Sequence, residues 1–243
     1  MAKVTPYQQE DISKKSQVAA MFDNIAGKYD FLNRFLSLGI DQYWRKKTLQ
    51  ELCSGRVNAK VLDIATGTGD LAIMLSSKDP KVKIIGADIS EKMLEIGRQK
   101  IQKAKLEEQI EFVKADSEAL PFQDEQFDGV MVAFGVRNYE DLLQGLTEMK
   151  RVLKPGGKMV VLEFSRPRIF PIKQIFQFYF RFILPLIGKV VSKDQRAYSY
   201  LFESVQHFPD FEQFEAILKQ IGMQKTKHTP LTFGICNIYS GLK

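Results

Sequence analysis

The chain has 243 residues, 44% of them hydrophobic and 26% charged. That is ordinary globular usage, enough for one compact core and wrong for a disordered chain. Lys and Arg exceed Asp and Glu by 35 to 29, a modest net charge of +6.

Met1 to Glu10 is polar and holds no signal-peptide core, so a cytoplasmic, reducing compartment is expected. Residues 1–57 read as helical and as a separate N-terminal lid or substrate segment. Phe22, Ile25, Tyr29 and Leu32 share one face at helical spacing, and the segment ends near Ser54 and Gly55. From residue 58 the period changes. Lys60 to Ala65 is a short apolar strand, Thr66 to Asp70 a glycine turn, and Leu71, Met74 and Leu75 begin a helix. Lys83 to Ala87 is a second strand that reaches Asp88. Ser90 is placed to cap a helix carrying Met93, Leu94, Gly97 and Ile101. Glu111–Ala115 and Asp128–Ala133 are further strands, followed by a helix from about Tyr139 to Leu153. Lys154 to Gly157 stops that helix, and Lys158–Phe164 forms a fifth strand. After an insert at about 166–207 comes a helix with Phe211, Phe214, Ile217, Leu218 and Ile221, closed by Gly222. Runs near 223–229 and 234–242 suggest a terminal hairpin.

Strands alternating with helices predict an α/β protein with a parallel sheet covered on both faces, over residues 58–243. Cys53 and Cys236 are far apart and in no metal spacing, so neither a disulfide framework nor a metal site is expected. Ile169 to Val191 is apolar but broken by Pro171, Lys173, Arg181 and Pro185, a poor membrane span. Eleven Lys and Arg lie between Lys150 and Arg196 against Glu163 and Asp194, which reads either as a solvated face or as attraction to an anionic partner.

The strand–loop–helix at residues 60–75 is the strongest local signal. Gly67 and Gly69 let backbone approach a ligand outside the carboxyl end of a strand. Asp63 is placed to hold the loop or to accept from a bound amine. Asp88 ends the second strand, where an acid accepts from ribose hydroxyls, or merely caps a helix. Asp116 and Ser117 follow the third strand, near the expected adenine edge. Because Gly67-x-Gly69-x-x-Ala72 also fits a dinucleotide loop, a nicotinamide oxidoreductase competes on these residues alone. A nucleic-acid-binding module ranks last, because no base-stacking motif accompanies the basic stretch.

Val61 to Gly69 resembles the first motif of class I S-adenosylmethionine methyltransferases, and Leu153 to Lys158 resembles the turn into their fifth strand. More narrowly, the chain resembles the ubiquinone/menaquinone biosynthesis C-methyltransferase family. That likeness rests on Met21 to Asp30, Gly39 to Arg45, Ala119 to Phe122, Phe134 to Asn138 and Leu162 to Pro167. It implies a Rossmann-like fold with a seven-stranded, mostly parallel sheet, helices on both faces and an antiparallel C-terminal strand. It implies S-adenosylmethionine as cofactor, held by Asp63, Gly67, Thr68, Gly69, Asp88, Asp116, Ser117 and Ala133. Ala65 stands where general motifs often have Gly, and Ala133 where some members have Ser, which favours a menaquinone-only enzyme.

The reaction implied is methylation of a ring carbon of reduced demethylmenaquinone. The enzyme must align the reacting atoms and help a neighbouring hydroxyl lose its proton. Arg137, Asn138 and Tyr29 are the candidates for this polar work. Arg137 would stabilise the phenolate, unless it merely pairs with Glu140 or Asp141. Tyr29 would relay the proton only with a lowered pKa. The isoprenoid tail of such a substrate makes the insert interesting. Ile172, Ile175, Phe176, Tyr179, Phe182, Ile183 and Leu186 would cover the site and dock peripherally on the membrane, or form a core helix or a homodimer interface.

Overall fold

The computed structural model describes residues 4–53, 59–183 and 195–243. The expectations at Ser54 and Gly55, and at Pro185, Leu186, Lys189 and Lys193, lie outside them. Two helices open the chain. Helix α1 (Lys14–Leu36) is capped by Ser13, whose side chain accepts from the Ser16 N–H. Helix α2 (Ile40–Leu52) starts at Gly39, which has φ 78°. That left-handed glycine is what divides the helical N-terminal region in two.

Seven strands follow: β1 (Lys60–Ile64), β2 (Lys83–Asp88), β3 (Ile110–Lys114), β4 (Phe127–Ala133), β5 (Leu153–Phe164), β6 (Gln224–Leu231) and β7 (Cys236–Leu242). Their order is β3-β2-β1-β4-β5-β7-β6. Strands β1 to β5 pair in parallel, and β7 is antiparallel to both of its neighbours. Helices α3 (Asp70–Lys78), α4 (Glu91–Ala104) and α5 (Leu142–Val152) make the crossovers, and α8 (Glu212–Gln220) precedes the hairpin. Both faces are covered. Val61 packs with Leu52, Leu71 and Leu75, whereas Leu62 and Ile64 pack with Phe127, Leu146 and Met149. A strand buried on both sides has no polar face, which is why β1 reads as a continuous apolar run.

Two boundaries differ from expectation. Helix α5 begins at Leu142, because Asp141 caps it by accepting from the Gln144 N–H. The preceding Val136–Asn138 forms a separate 3₁₀ turn. Strand β5 begins at Leu153, not Lys158. Leu153 pairs with Phe127 and Lys158 with Gly129, so Lys154 to Gly157 is a bulge inside the strand.

The insert folds as α6 (Ile172–Phe178), a π turn (Tyr179–Ile183) and α7 (Gln195–His207). Phe176, Phe180 and Tyr200 bury against Val18, Met21 and Leu32 of α1. The N-terminal segment and the insert therefore share a small core of their own. Among the described residues, several cations of the basic stretch are engaged in ion pairs with acids outside it. Lys154 meets Asp128, Lys158 meets Glu51, Arg166 meets Asp210, Arg168 meets Glu212 and Arg196 meets Glu203, at 2.6–2.9 Å. Part of the basic stretch is thus neutralised by acids from elsewhere in the chain. No helix among the described residues is long and apolar enough to cross a membrane.

Candidate active site

The strand order reverses its direction of growth between β1 and β4. A crevice opens at such a switch point, outside the carboxyl ends of the strands. Residues just past those ends carry unusual backbone. Ala65 after β1 has φ 50°, and Phe134 after β4 has φ 60°. The left-handed region costs a non-glycine residue about 1–2 kcal/mol. Such strain persists only where surrounding packing enforces it. Here Gly135 makes room: a Cβ on it would lie 2.6 Å from the Ala65 Cβ. Ala65, the departure from the usual glycine, is tolerated because its methyl fills the space beside Gly135.

The crevice holds about 720 Å³ of empty space including its mouth. Asp88, Asp116, Ser117, Gly67 and Ala133 line it, with Ile89, Met93 and Ala115 as an apolar platform. Asp88 accepts from the Gly67 N–H at 2.8 Å and from the Ser90 N–H at 2.9 Å. Ser90, not Asp88, caps α4. A carboxylate has about four lone-pair sites, so Asp88 keeps acceptor capacity towards the crevice. Asp63 lies beneath the loop, 1% exposed, and accepts from the Thr66 hydroxyl at 2.6 Å. Burial pushes its carboxyl up to about 7, against the lowering effects of Thr66 and Arg45. Gly69, at φ 80°, packs so tightly on Phe112 that a Cβ would sit 2.4 Å from the ring. Its role is therefore close packing of the loop against β3.

Helix α1 lies across this edge and meets the segments that follow β1, β2 and β3. Asp30 accepts from the Thr68 hydroxyl at 2.6 Å, Asp23 from the Ser90 hydroxyl at 2.6 Å, and Asp116 from the Lys15 ammonium at 2.6 Å. Lys100 of α4 joins Asp30, Asp70 and Thr68 into one network. The Thr68 side chain is thus directed to α1, leaving the loop backbone to face a ligand. Sequence reading missed Lys15, Asp23 and Asp30. Their separations of eight and seven residues, about two helical turns each, are the available signal.

A second, larger cavity adjoins the first. It holds about 1760 Å³ including its mouth and is mostly apolar. Trp44, Phe134, Phe164, Phe180 and Phe176 form a chain of rings along it, with successive centroids 4.2–6.1 Å apart. The Trp44 indole N–H donates to the Thr232 hydroxyl at 2.8 Å. Phe22, Tyr29 and Phe134 line both cavities, so the two spaces meet there.

The Val136–Asn138 turn stands at this junction, with Asn138 on the crevice and Arg137 on the chamber. Arg137 does not pair with Glu140 or Asp141. Its Nη1 donates to Glu163 Oε1 at 2.9 Å, and its backbone N–H donates to Oε2 at 3.3 Å. Glu163 is fully buried and also accepts from the Phe164 N–H at 2.9 Å. Burial raises the Glu163 pKa, and Arg137 opposes the rise. Tyr29 is moved the wrong way for a proton acceptor. Burial raises its pKa, with Arg45 and Asn33 opposing. It serves as a wall between the cavities. Among the described residues no group of His, Cys, Asp or Glu could hold a metal.

Comparison with known proteins gives a consistent picture. Residues 10–243 match the model of the ubiE/COQ5 methyltransferase family. A demethylmenaquinone methyltransferase of Bacteroides fragilis is 46% identical over 241 residues, covering 99% of this chain and 98% of that protein. A ubiquinone/menaquinone biosynthesis C-methyltransferase of Geotalea daltonii is 45% identical, covering 95% and 97%. Among solved structures, a methyltransferase of Thermotoga maritima superposes with a TM-score of 0.64 at 21% identity, covering 92% of this chain and 99% of that one. One of Aquifex aeolicus gives 0.59 at 20%, covering 82% and 88%. These structures show the class I methyltransferase fold, with its seven-stranded mixed sheet.

Proposed function

Because the chain belongs to the ubiE/COQ5 methyltransferase family, we propose that it methylates the ring of reduced demethylmenaquinone, using S-adenosylmethionine, to give menaquinol. One observation carries this reading. A crevice with acids at successive strand ends meets a larger apolar chamber at Phe22, Tyr29 and Phe134. A nucleoside fits the first space and an aromatic ring bearing a long hydrocarbon fits the second.

The residues present suit the cofactor. Asp88 and Asp116 face ribose and adenine donors, Ser117 and Ala133 complete the walls, and Asp63 faces the amino-acid cation through the loop at Gly67, Thr68 and Gly69. Bound there, the cofactor supplies a methyl group already electrophilic on its sulfonium sulfur. The chain must do the rest. Phe134 and Tyr29 hold the ring plane at the junction and exclude water. Arg137 stabilises the developing phenolate by its fixed positive charge, and Asn138 orients the neighbouring hydroxyl or a water beside it. As the new C–C bond forms, the S–C electron pair stays on sulfur and the quinol hydroxyl releases its proton through a water beside Asn138. The ring C–H proton then returns to that oxygen to restore aromaticity, so that one proton is released overall. Only the quinol is electron-rich enough, so the oxidised quinone should be inert. The test is incubation of purified protein with labelled S-adenosylmethionine and a demethylmenaquinone extract, with and without dithionite. Label in menaquinone only after reduction supports the reading. Label in neither sample overturns it.

The N-terminal helices and the insert cover the chamber, and its rim is the proposed membrane-facing surface. Leu38 is 84% exposed and Phe233 67% exposed, yet both line the chamber, as does the exposed Ile175. Ile169, Phe170, Phe178 and Phe182 extend this apolar rim along the insert. An exposed patch continuous with a lipid-sized chamber suits the surface of the bilayer that stores the substrate. The protein is expected to sediment with phosphatidylglycerol vesicles at low salt. Leu38→Asp with Phe233→Asp should release it while leaving cofactor binding unchanged. Absence of wild-type sedimentation would count against docking.

A further inference from the structure

Few polar groups face the apolar chamber, and most are already engaged. Thr232 accepts from Trp44. Asp41 accepts from Ser37 at 2.8 Å and lies 3.6 Å from Arg45. Tyr200 is different. It lies on α7, 1% exposed, and lines the chamber. Its hydroxyl has no hydrogen-bond partner among the described residues. The Nε of Arg137, lining the same chamber, is likewise buried and unpartnered.

A phenol buried without a partner is a lasting cost to the fold, and such groups are uncommon. Phenylalanine would fill the same space without that cost. The hydroxyl is explained if its partner is the molecule that enters the chamber. Resting on the quinol reading above, we propose that Tyr200 is a substrate-binding residue whose hydroxyl donates a hydrogen bond to one ring oxygen of the quinol, as a second anchor beside Arg137. A 1,4-quinol carries two oxygens on opposite sides of its ring. Arg137 and Tyr200 line the chamber from two elements, the 3₁₀ turn and α7, so each is available to hold one of these oxygens. Burial also raises the Tyr200 pKa, with Arg137 opposing, which keeps the phenol a donor at neutral pH.

The test is a substrate-deletion series on Tyr200→Phe, which preserves the ring packing. Cofactor binding by calorimetry should match wild type, and the thermal midpoint of the substrate-free protein should rise by about a few degrees because the unpartnered hydroxyl is gone, showing an intact fold. With reduced demethylmenaquinone, kcat/KM should fall roughly 10- to 100-fold, the usual effect of losing a hydrogen bond to a charged or charge-developing group. Two prenylated naphthols, each lacking one ring hydroxyl, are then compared as competitive inhibitors. On one isomer the variant should bind as weakly relative to wild type as it does the quinol. On the other, wild type and variant should bind alike, because the oxygen that Tyr200 meets is gone. An unchanged kcat/KM, or equal weakening on both isomers, overturns the proposal. Failure of the wild-type enzyme to methylate any quinol would instead overturn the functional reading beneath it.

Discussion

Arg137→Ala is expected to cut kcat by roughly 100- to 1000-fold, the usual cost of removing a preorganised group that meets developing charge. Affinity for S-adenosylmethionine should change by less than about twofold, because Arg137 lines the chamber and not the crevice. The same substitution has a second, separable effect. It leaves Glu163 fully buried without its counter-charge. Breaking a buried pair from one side costs about 3–5 kcal/mol. Burial already raises the Glu163 pKa, and the Arg137 charge is the strongest influence opposing it. In the variant the carboxyl rises further. The folded state then holds a proton that the unfolded chain releases, so stability falls as pH rises from the ordinary value of 4.5 through the raised one. Urea unfolding of Arg137→Ala should show this loss, and wild type much less of it. The double variant Arg137→Ala with Glu163→Gln should regain most of the stability and lose the added pH dependence, yet stay slow. If the double variant also recovered turnover, Arg137 would be only the counter-charge of a structural acid.

That pair shows what local pattern could not supply. Arg137 has acids at 140 and 141, and sequence neighbourhood suggested them as partners. Its real partner is 26 residues away, at the end of the adjacent strand β5. Glu163 was visible inside the motif Leu162 to Pro167, but nothing local told that it is buried. The sheet was legible because its strands are covered on both faces and so are continuously apolar. The crevice was legible because Asp63, Asp88 and Asp116 end successive strands, which topology must bring together. The insert and the N-terminal helices were legible as covers of the substrate site, but the turn at Thr232 and Phe233 joins the chamber wall only in three dimensions. Part of the basic stretch also reads as more cationic along the chain than it is in the fold. Charge counting along a chain cannot see Asp128, Glu51, Asp210 and Glu212 arriving from other elements.

Asp63→Asn should stabilise the free protein above neutral pH and weaken its hold on the cofactor. The Asp63 carboxyl is pushed from 3.8 to about 7, chiefly by burial. Between those values the folded protein binds a proton that the unfolded chain does not, so stability declines as pH rises through that window. At about 1.36 kcal/mol per pH unit the decline is bounded at about 4 kcal/mol. Asparagine keeps the shape and an acceptor for the Thr66 hydroxyl but has nothing to ionise. At pH 8 it should therefore gain about 1–3 kcal/mol, measured by denaturant midpoint, with a flatter pH profile than wild type. The ligand asks for the opposite. A cationic amino acid group set near the loop favours the ionised carboxylate, and binding should drive the proton off. Affinity should then rise with pH between roughly 5.5 and 7.5, and the heat of binding should depend on the ionisation enthalpy of the buffer. In Asp63→Asn both dependences should vanish and affinity should fall about tenfold or more, the size expected for a buried charge-assisted contact. Equal binding by wild type and variant, without proton release, would make Asp63 a brace for the glycine loop and nothing more. Opposite signs in the two measurements would show that stability has been given up at this position so that a cation can be held there.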